Sequence, residues 1–390
     1  MTWDWELREL AGRLELELSA DGTPVNPLVV IDLDMWGEAP PTAIAAAADL
    51  VSGALPVTLG MLNPPRTREL APLIEALTLT IMDGPRARRS LSPVANAMTR
   101  AMIMTGDLAG PPSLDDSVAK VREAVEHSPR AAVACGQLVR QTTALGSVPG
   151  GTVAAGTVAA GTAPAGTVAA GTTAGLAAEA AAYSMLLSGP EFGRWRAERG
   201  TPRAVPVPDE PVLVSRDGAS LAITLNVPSR RNAFSTAVRE GLLAALRVAE
   251  ADPSVKAVSL RGAGPAFCSG GDLDEFGTAR DLVAAYFVRL ARAPWRVIDR
   301  ISSRVTVYAQ GACVGAGCEM LAYAGRVAAD EEAFFQLPEV RMGLVPGAGG
   351  SVSVPRRIGR HRAAWLMLTG ERLHAPTALA WGLVDEVAGG

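Results

Sequence analysis

The sequence contains few of the residues that metal, redox and nucleophilic sites usually require. There are 3 histidines and 4 cysteines among 390 residues. His127, His361 and His374 fall outside every motif, which leaves no basis for a histidine triad or a zinc site. Cys313 and Cys318 are spaced by a glycine turn rather than as a metal-binding pair. We therefore expect no metal or redox cofactor, and we interpret the cysteines as reduced structural residues.

Long charged and long apolar runs are also absent. The net charge of −4 argues against a general nucleic-acid binder, and lysine occurs only at positions 120 and 256. No charge-free apolar run is long enough to span a bilayer. The acidic start of the chain lacks the basic and apolar regions of a signal peptide. These absences predict a cytoplasmic protein that binds neither nucleic acid nor membranes.

Two glycine-rich turns are the most informative features that are present. The first is Ala-Phe-Cys-Ser-Gly-Gly-Asp-Leu at residues 266–273, and the second is Gly-Ala-Gly-Cys-Glu at residues 315–319. Turns of this kind can direct two backbone N–H groups at one oxygen atom. Ala316 precedes an apolar helical run, and free N–H groups at a helix start favour negative charge. The pair of turns predicts an oxyanion hole for a thioester carbonyl, and hence an acyl-CoA enzyme.

Two glutamates accompany these turns. Glu319 follows Ala316 by three residues, so it shares a helical face with the predicted amide donor. Glu339 follows Pro338, which fixes a turn that presents the carboxylate. Two carboxylates beside an enoyl thioester could share a water molecule, one accepting its proton while the other delivers a proton to carbon.

The motifs resemble those of the crotonase superfamily, also called the enoyl-CoA hydratase/isomerase superfamily, from about residue 211 to 387. The resemblance implies an α/β fold, with a crotonase-like ββα spiral core in the C-terminal half. It is carried by Arg231-Asn232-Ala233-Phe234, the two glycine turns, and the segments 335–339, 343–350, 368–371 and 380–384.

The resemblance also implies roles for the site residues. The amides of Gly271 and Ala316 correspond to the oxyanion hole, Glu319 to the residue that helps activate water, and Glu339 to the residue that exchanges a proton with the α-carbon. Retention of both carboxylates favours an enoyl-CoA hydratase or dehydratase, a lyase acting on 2-enoyl or 3-hydroxyacyl-CoA. Double-bond isomerisation, decarboxylation, or a non-catalytic acyl-CoA-binding or assembly subunit stay open as alternatives.

Acyl-CoA is then the substrate and the expected partner, rather than a cofactor. Arg231 lies where family members contact CoA phosphates, although a solvated loop arginine is an equally simple interpretation. Further substrate-binding candidates are Ala233, Ala266, Cys268, Gly270 and Gly315. The resemblance also implies a homo-oligomer, with a trimer or a hexamer as the habit of the family.

The order of segments along the chain departs from the family pattern. Residues 212–390 form the predicted catalytic core, but the chain stops before the usual C-terminal helices. Helical stretches at 116–140 and 176–200 resemble those missing helices. We therefore predict that residues 1–200 are a degenerate crotonase copy or, alternatively, an α-rich accessory domain. Residues 151–175 are predicted to be a flexible Gly/Ala/Thr repeat, and residues 201–211 a Pro-rich linker.

Periodicity predicts several further elements. Strands are expected at 28–33, 56–60, 76–82, 257–261 and 305–310, a hairpin at 212–216 and 221–225, and helices at 42–52, 235–251 and 280–300.

Overall fold

The computed structural model describes residues 3–63, 69–84, 102–108, 113–146, 165–200 and 208–388. Its α-helices are α1 (Asp4–Leu14), α2 (Pro41–Gly53), α3 (Ala71–Ala76), α4 (Leu114–His127), α5 (Pro129–Gly146), α6 (Ala165–Leu186), α7 (Pro190–Arg199), α8 (Thr236–Ala251), α9 (Leu282–Ala291), α10 (Pro294–Arg300), α11 (Ala316–Leu321), α12 (Gly350–Ile358), α13 (Arg360–Thr369) and α14 (Ala375–Trp381). Its strands are β1 (Leu28–Asp32), β2 (Val57–Leu62), β3 (Leu79–Met82), β4 (Ile103–Met104), β5 (Val212–Asp217), β6 (Ser220–Leu225), β7 (Ala257–Gly262), β8 (Val305–Ala309), β9 (Ala312–Val314), β10 (Arg326–Asp330), β11 (Phe334–Gln336), β12 (Leu373–His374) and β13 (Glu386–Ala388).

The C-terminal half contains a six-stranded sheet in the order β13-β10-β8-β7-β6-β5. Strands β5 and β6 form the predicted antiparallel hairpin, which turns at Gly218 with a φ of 54°. The remaining pairs in this sheet are parallel. Ser235 accepts a hydrogen bond from the Val238 amide at 3.3 Å and caps α8, so the predicted helix begins where expected.

A smaller sheet, in the order β12-β11-β9, lies beside the first. The chain places β8 in the large sheet, β9 in the small sheet and then forms α11; it next places β10 in the large sheet and β11 in the small one. This alternation is the ββα spiral expected for the C-terminal half. The α/β fold class is therefore confirmed.

The N-terminal half has a parallel sheet of its own, in the order β1-β2-β3-β4. Val29 and Ile31 on β1 pack with α1, α2 and α3, whereas Val57 and Leu59 on β2 belong to the larger core that includes α4 and α5. Alternate side chains of a strand face opposite sides of the sheet, so helices can cover both faces. This region is helix-rich with a parallel sheet, and its origin as a degenerate copy stays a hypothesis.

Helices from the N-terminal half pack directly on the C-terminal core. Helix α5 lies against α12 and α13, and α6 lies against α9 and α12. The Thr142 hydroxyl donates to the Ser351 carbonyl at 2.6 Å across this contact. Arg362 and Asp107, both buried, approach to 3.8 Å. The helices that precede the core in sequence therefore cover it in space.

Several predicted bounds differ from the structure. Helix α6 begins at Ala165, so the end of the segment predicted to be a flexible repeat is helical. Alanine has the highest helix propensity, and the packing of α6 on α5 and α12 outweighs the cost of its glycines. Residues 151–164 of that segment, and residues 201–207 of the predicted linker, lie outside the described residues.

Two predicted helices are interrupted because of proline. The helix expected at 280–300 is divided into α9 and α10, with Pro294 at the start of the second. The helix expected at 116–140 is likewise divided into α4 and α5 at Pro129. Proline has no N–H to continue a helix but is well tolerated in its first turn. Among the helices of the described ranges, none is both long enough and apolar enough to cross a membrane.

The packing of α6 on α12 can be tested with a pair of helical glycines. A Cβ atom on Gly175 would lie 2.7 Å from Val352 Cγ2, whereas one on Gly193 in α7 would meet nothing within 4 Å. Gly193→Ala should raise the free energy of unfolding by about 0.5–1 kcal/mol through helix propensity. Gly175→Ala should instead lower it by about 1–3 kcal/mol, because overpacking outweighs that gain. Urea unfolding of both variants measures the difference, and equal stabilisation by both would contradict the described interface.

Candidate active site

The two predicted glycine turns lie in direct contact. A β-bridge pairs Cys268 with Cys313. The Val314 amide donates to the Cys268 carbonyl at 2.9 Å, which joins the segment before one turn to the segment before the other. Gly270 has a φ of 95°, and a Cβ atom there would lie 3.0 Å from the Val314 carbonyl oxygen. Glycine is required at this position by both the backbone conformation and the close approach.

Gly271 and Ala316, the two predicted amide donors, both line one cavity. Within the described residues, neither backbone N–H donates to a protein acceptor. Ala316 is the first residue of α11, where an N–H has no acceptor inside the helix. Use of the two amides as an oxyanion hole stays a prediction.

Glu319 lies on α11 with its carboxylate held by the turn before α12. Its Oε2 atom accepts hydrogen bonds from the Ala348 amide at 2.7 Å and the Gly350 amide at 2.8 Å. The side chain is only 2% exposed. Burial raises the pKa of the Glu319 carboxyl to about 7, and the backbone amides and nearby Arg289 limit the rise because they favour the ionised form. Glu319 can therefore exchange a proton near neutral pH.

Glu339 lies in a different environment. It is buried, its Oε2 atom has no hydrogen-bond partner, and its Oε1 atom approaches Gly315 so closely that a Cβ atom there would lie 2.6 Å away. Burial, and then the charge of Glu319, hold the pKa of Glu339 well above its ordinary value. The two carboxyl groups are thus biased toward different protonation states, with Glu339 the more readily protonated.

Both glutamates line the same cavity as the two amides. The cavity has a volume of about 550 Å³. Its apolar lining residues are Tyr183, Leu187, Phe234, Phe276, Val288 and Trp295, and its charged ones include Arg239, Glu275, Arg280, Asp281, Arg289 and Arg292. A space of this size, with an apolar wall and a few converging polar groups, is typical of a small-molecule site. Tyr183 and Leu187 come from the N-terminal half, so that half helps to form the cavity.

Arg289 connects the two halves at the wall of this cavity. Its guanidinium lies 3.5 Å from the centre of the Tyr183 ring, a cation–π contact. It also donates from Nη1 to the Gly347 carbonyl at 3.2 Å. The positive charge therefore lies beside the turn that holds Glu319.

The substrate-binding candidates outside this set do not line the cavity. Arg231 is exposed, has a φ of 52°, and accepts a hydrogen bond from the Ser269 amide through its own carbonyl. Cys268 is buried, and burial raises the pKa of its thiol to about 12. Ala233, Ala266, Gly270 and Gly315 are likewise outside the cavity wall. These residues shape the site as parts of the two turns and the adjoining loop. Direct contact with CoA stays a prediction for each of them.

Several residues that shape the site had no assigned role from sequence. Asn232 is fully buried with a φ of 55°; its Oδ1 accepts from the Val227 amide, and its Nδ2 donates to the carbonyls of Ala263 and Ala266. Asparagine tolerates a left-handed backbone, which was the available signal. Tyr183 and Arg289 carry no comparable local signal. In the described part of the chain, no group of three or more His, Cys, Asp or Glu side chains is arranged to hold a metal ion.

Comparison with known proteins finds relatives of the C-terminal half. The family model for enoyl-CoA hydratase/isomerase matches residues 216–389. A 2,3-dehydroadipyl-CoA hydratase from Escherichia coli is 34% identical over 176 residues, which cover 45% of this chain and 68% of that protein. An enoyl-CoA isomerase/hydratase from Mycosarcoma maydis is 33% identical, with 43% of this chain and 65% of that protein covered. A solved enoyl-CoA hydratase/isomerase from Marinobacter aquaeolei is 33% identical, with a TM-score of 0.43 over 46% of this chain and 71% of that one.

The C-terminal core has two sheets joined by ββα units, and two turn amides and two buried glutamates line one cavity. These features define a crotonase-type fold and site. The chain belongs to the enoyl-CoA hydratase/isomerase family of the crotonase superfamily. The family model covers the C-terminal core and does not extend over residues 1–215.

The position that the turn amides give to the Glu319 carboxylate can be tested by a substitution at Gly350. A Cβ atom there would lie 2.6 Å from Glu319 Cγ and 2.7 Å from Oε2. Gly350→Ala should displace the carboxylate and lower kcat for an enoyl-CoA thioester by about 10²-fold, the usual cost of misplacing a reacting group by about 1 Å. The matched control is Gly53→Ala at the end of α2, where a Cβ atom meets nothing within 4 Å. Unchanged turnover by Gly350→Ala would show that the described position of Glu319 is not the working one.

Proposed function

We propose that this protein is an enoyl-CoA hydratase/dehydratase, which adds water to a 2-enoyl thioester or removes it from a 3-hydroxyacyl thioester. The observation that carries the proposal is the pairing of two buried carboxyl groups in unlike environments on one cavity. Glu319 is held by backbone amides and titrates near neutral pH, whereas Glu339 has an unpartnered oxygen and retains its proton. An acid and a base of this kind are what reversible hydration requires.

In the hydration direction, the thioester carbonyl oxygen accepts hydrogen bonds from the amides of Gly271 and Ala316. The Glu319 carboxylate takes a proton from a water molecule while the water oxygen bonds to the β-carbon. The electron pair of the double bond moves toward the carbonyl, and the two amides stabilise the enolate oxygen. The Glu339 carboxyl then gives its proton to the α-carbon. Exchange of protons with solvent restores the starting states of the two glutamates.

The cavity and the names of relatives support the proposed substrate class. The cavity has a volume of about 550 Å³, and Phe234, Phe276 and Trp295 give it an apolar lining suited to an acyl chain. Arg280 on the same cavity supplies positive charge for an anionic CoA portion, whereas Arg239 and Arg292, which also line it, are both paired with Glu240. The E. coli relative is named for an enoyl-CoA hydration, which is the same reaction type. The homo-oligomer expected from the family resemblance stays a prediction.

Separate substitutions of the two glutamates test the proposed roles. Glu319→Gln and Glu339→Gln should each lower kcat by about 10²–10⁴-fold, because each removes a group that transfers a proton in the transition state. The assay follows the loss of conjugated enoyl-thioester absorbance with short, long and aromatic 2-enoyl-CoA substrates. Glu332→Gln, an exposed glutamate on the segment between β10 and β11, is the matched control and should leave turnover unchanged.

The same variants distinguish the alternatives. If Glu319→Gln stays active while Glu339→Gln is inactive, double-bond isomerisation becomes the better account, because one carboxylate then suffices. If the wild type binds acyl-CoA tightly but turns over none of the enoyl thioesters, the protein is an acyl-CoA-binding subunit and the proposed hydration is wrong.

The pH dependence of hydration should be bell-shaped. Glu319 acts in its ionised form, so kcat/KM should rise as the pH increases through about 7, the pKa of this carboxyl. Glu339 acts in its protonated form, and its pKa is raised, so the rate should fall again at higher pH. Initial rates on both sides of neutrality measure the two limbs. A rate that is still maximal in weak acid, where both groups are protonated, would contradict the role of Glu319 as the base.

A further inference from the structure

A third buried carboxylate reaches the site from the N-terminal half. Glu179 lies on α6 and is 2% exposed. Its Oε1 accepts a hydrogen bond from the Gly349 amide at 2.6 Å, and its Oε2 accepts from the Ser351 amide at 2.9 Å and from the Ser351 hydroxyl at 2.6 Å. The proposed hydration mechanism does not use this residue. A carboxylate this deeply buried and this fully hydrogen-bonded requires an explanation.

Four successive backbone amides donate alternately to Glu319 and Glu179, two to each. Ala348 and Gly350 donate to Glu319, whereas Gly349 and Ser351 donate to Glu179. These amides lead into α12, where N–H groups lack acceptors within the helix. Because neighbouring peptide units share atoms, the orientation of the two that bind Glu179 constrains the two that bind Glu319.

The two carboxyl groups also interact through charge. Burial, and then the charge of Glu319, raise the pKa of Glu179 to about 8, while the pKa of Glu319 is about 7. The two carboxyl groups are coupled, so the ionisation of one disfavours the ionisation of the other. Removal of Glu179 therefore has two opposed effects on the pKa of Glu319: displacement of the shared turn raises it, and loss of a negative charge lowers it.

Other titratable groups surround this pair. The charged ones are Arg289 on α9, Arg356 on α12 and Asp299 on α10, and Glu339 is a further carboxyl group whose pKa is raised. Arg356 is paired with Asp299 at 3.3 Å, so Arg289 is the cation that most directly favours the ionised form of Glu319. The neutral ones are Tyr183, Tyr323, Cys135, Cys268 and Cys318, and burial raises the pKa of each.

We propose that Glu179 is a positioning residue for the reaction proposed above: it holds the turn whose amides orient Glu319 and keep it ionisable. The N-terminal half thereby contributes to the proton-transfer machinery, in addition to covering it. This inference rests on the proposed function for its kinetic consequences, but the contact between Glu179 and the turn does not.

The experiment compares Glu179→Ala with the wild type. Loss of the acceptor should let the turn relax and weaken the hydrogen bonds that favour ionised Glu319. The acidic limb of the kcat/KM profile should then move to higher pH by about one unit, the scale of a single hydrogen bond to a charged group. At the optimum, kcat should fall by about 10–10²-fold, with KM for acyl-CoA changed much less.

Glu191→Ala is the matched control. Glu191 is also a buried glutamate in the N-terminal half, and its carboxylate accepts from the amides of Arg130 at 2.8 Å and Ala131 at 3.0 Å at the start of α5. It contacts neither the 348–351 turn nor Glu319 in these hydrogen bonds. This variant should lose stability without moving the pH profile. If Glu191→Ala moves the profile as much as Glu179→Ala, general destabilisation is responsible and the proposal is wrong.

A second variant and a second readout keep the test decisive. Glu179→Gln preserves the size of the side chain and one acceptor, so it should fold even if Glu179→Ala does not, and it should move the acidic limb in the same direction by a smaller amount. Carbon-13-edited infrared titration measures the ionisation of Glu319 without substrate. The carboxyl band of Glu319 is identified by comparing the wild type with Glu319→Gln, in which that band is absent. That midpoint should rise in both Glu179 variants.

The outcomes separate the two proposals. If no enoyl thioester is turned over by the wild type but the infrared midpoint of Glu319 rises in the Glu179 variants, the proposed function fails and the positioning role stands. If the wild type is active and the midpoint is unchanged, Glu179 is only structural. A midpoint that falls would show that Glu179 acts as a repelling charge, which also overturns the positioning role.

Discussion

The arrangement of the site depends on how the protein accommodates the three buried glutamates at the cavity and the adjoining 348–351 turn. Glu179, Glu319 and Glu339 are all less than a tenth exposed, and an isolated buried carboxylate is strongly disfavoured. The backbone amides of residues 348–351 offset this cost for two of them. Glu339 has one oxygen without a donor, and burial and the charge of Glu319 hold its pKa well above the ordinary value. This difference in environment is what supports the proposed roles of Glu319 as the base and Glu339 as the acid.

Glycine permits each of the close approaches on which this distribution depends. At Gly350 a side chain would overlap Glu319, and at Gly315 it would overlap Glu339. These two glycines are therefore not interchangeable with other small residues, whereas Ala316 lines the cavity with a methyl group. Space around the carboxylate is the constraint at Gly350, whereas at Gly315 a positive φ of 49° adds a second reason for glycine.

Much of the core could be predicted from sequence because the residues that form it are close together in the chain. One cavity is lined by four residues that follow neighbouring strands: Gly271, Ala316, Glu319 and Glu339. The spacing of the motifs in the sequence was enough to predict that these residues lie together. Glu179 is separated from Ser351 by 172 positions, and no local pattern marks it among the alanines of α6. The start of α6 at Ala165 was missed for a related reason, because a glycine-rich, alanine-rich segment becomes helical only where tertiary packing supports it.

The site in the C-terminal core depends on contacts from the half of the chain that precedes it in sequence. Helices α5 and α6 precede the core in sequence, yet they pack on α12 and supply Glu179 to the turn that begins it. The folded state raises the pKa of Glu319 from 4.5 to about 7 and that of Glu179 from 4.5 to about 8. Between pH 4.5 and these values, the folded protein keeps protons that the unfolded chain has released. The unfolded state binds fewer protons over this range, so stability decreases as the pH rises through it. The ionised form of the site, which the proposed function requires of Glu319, is thus the more costly one to fold, and contacts between the halves help to offset that cost.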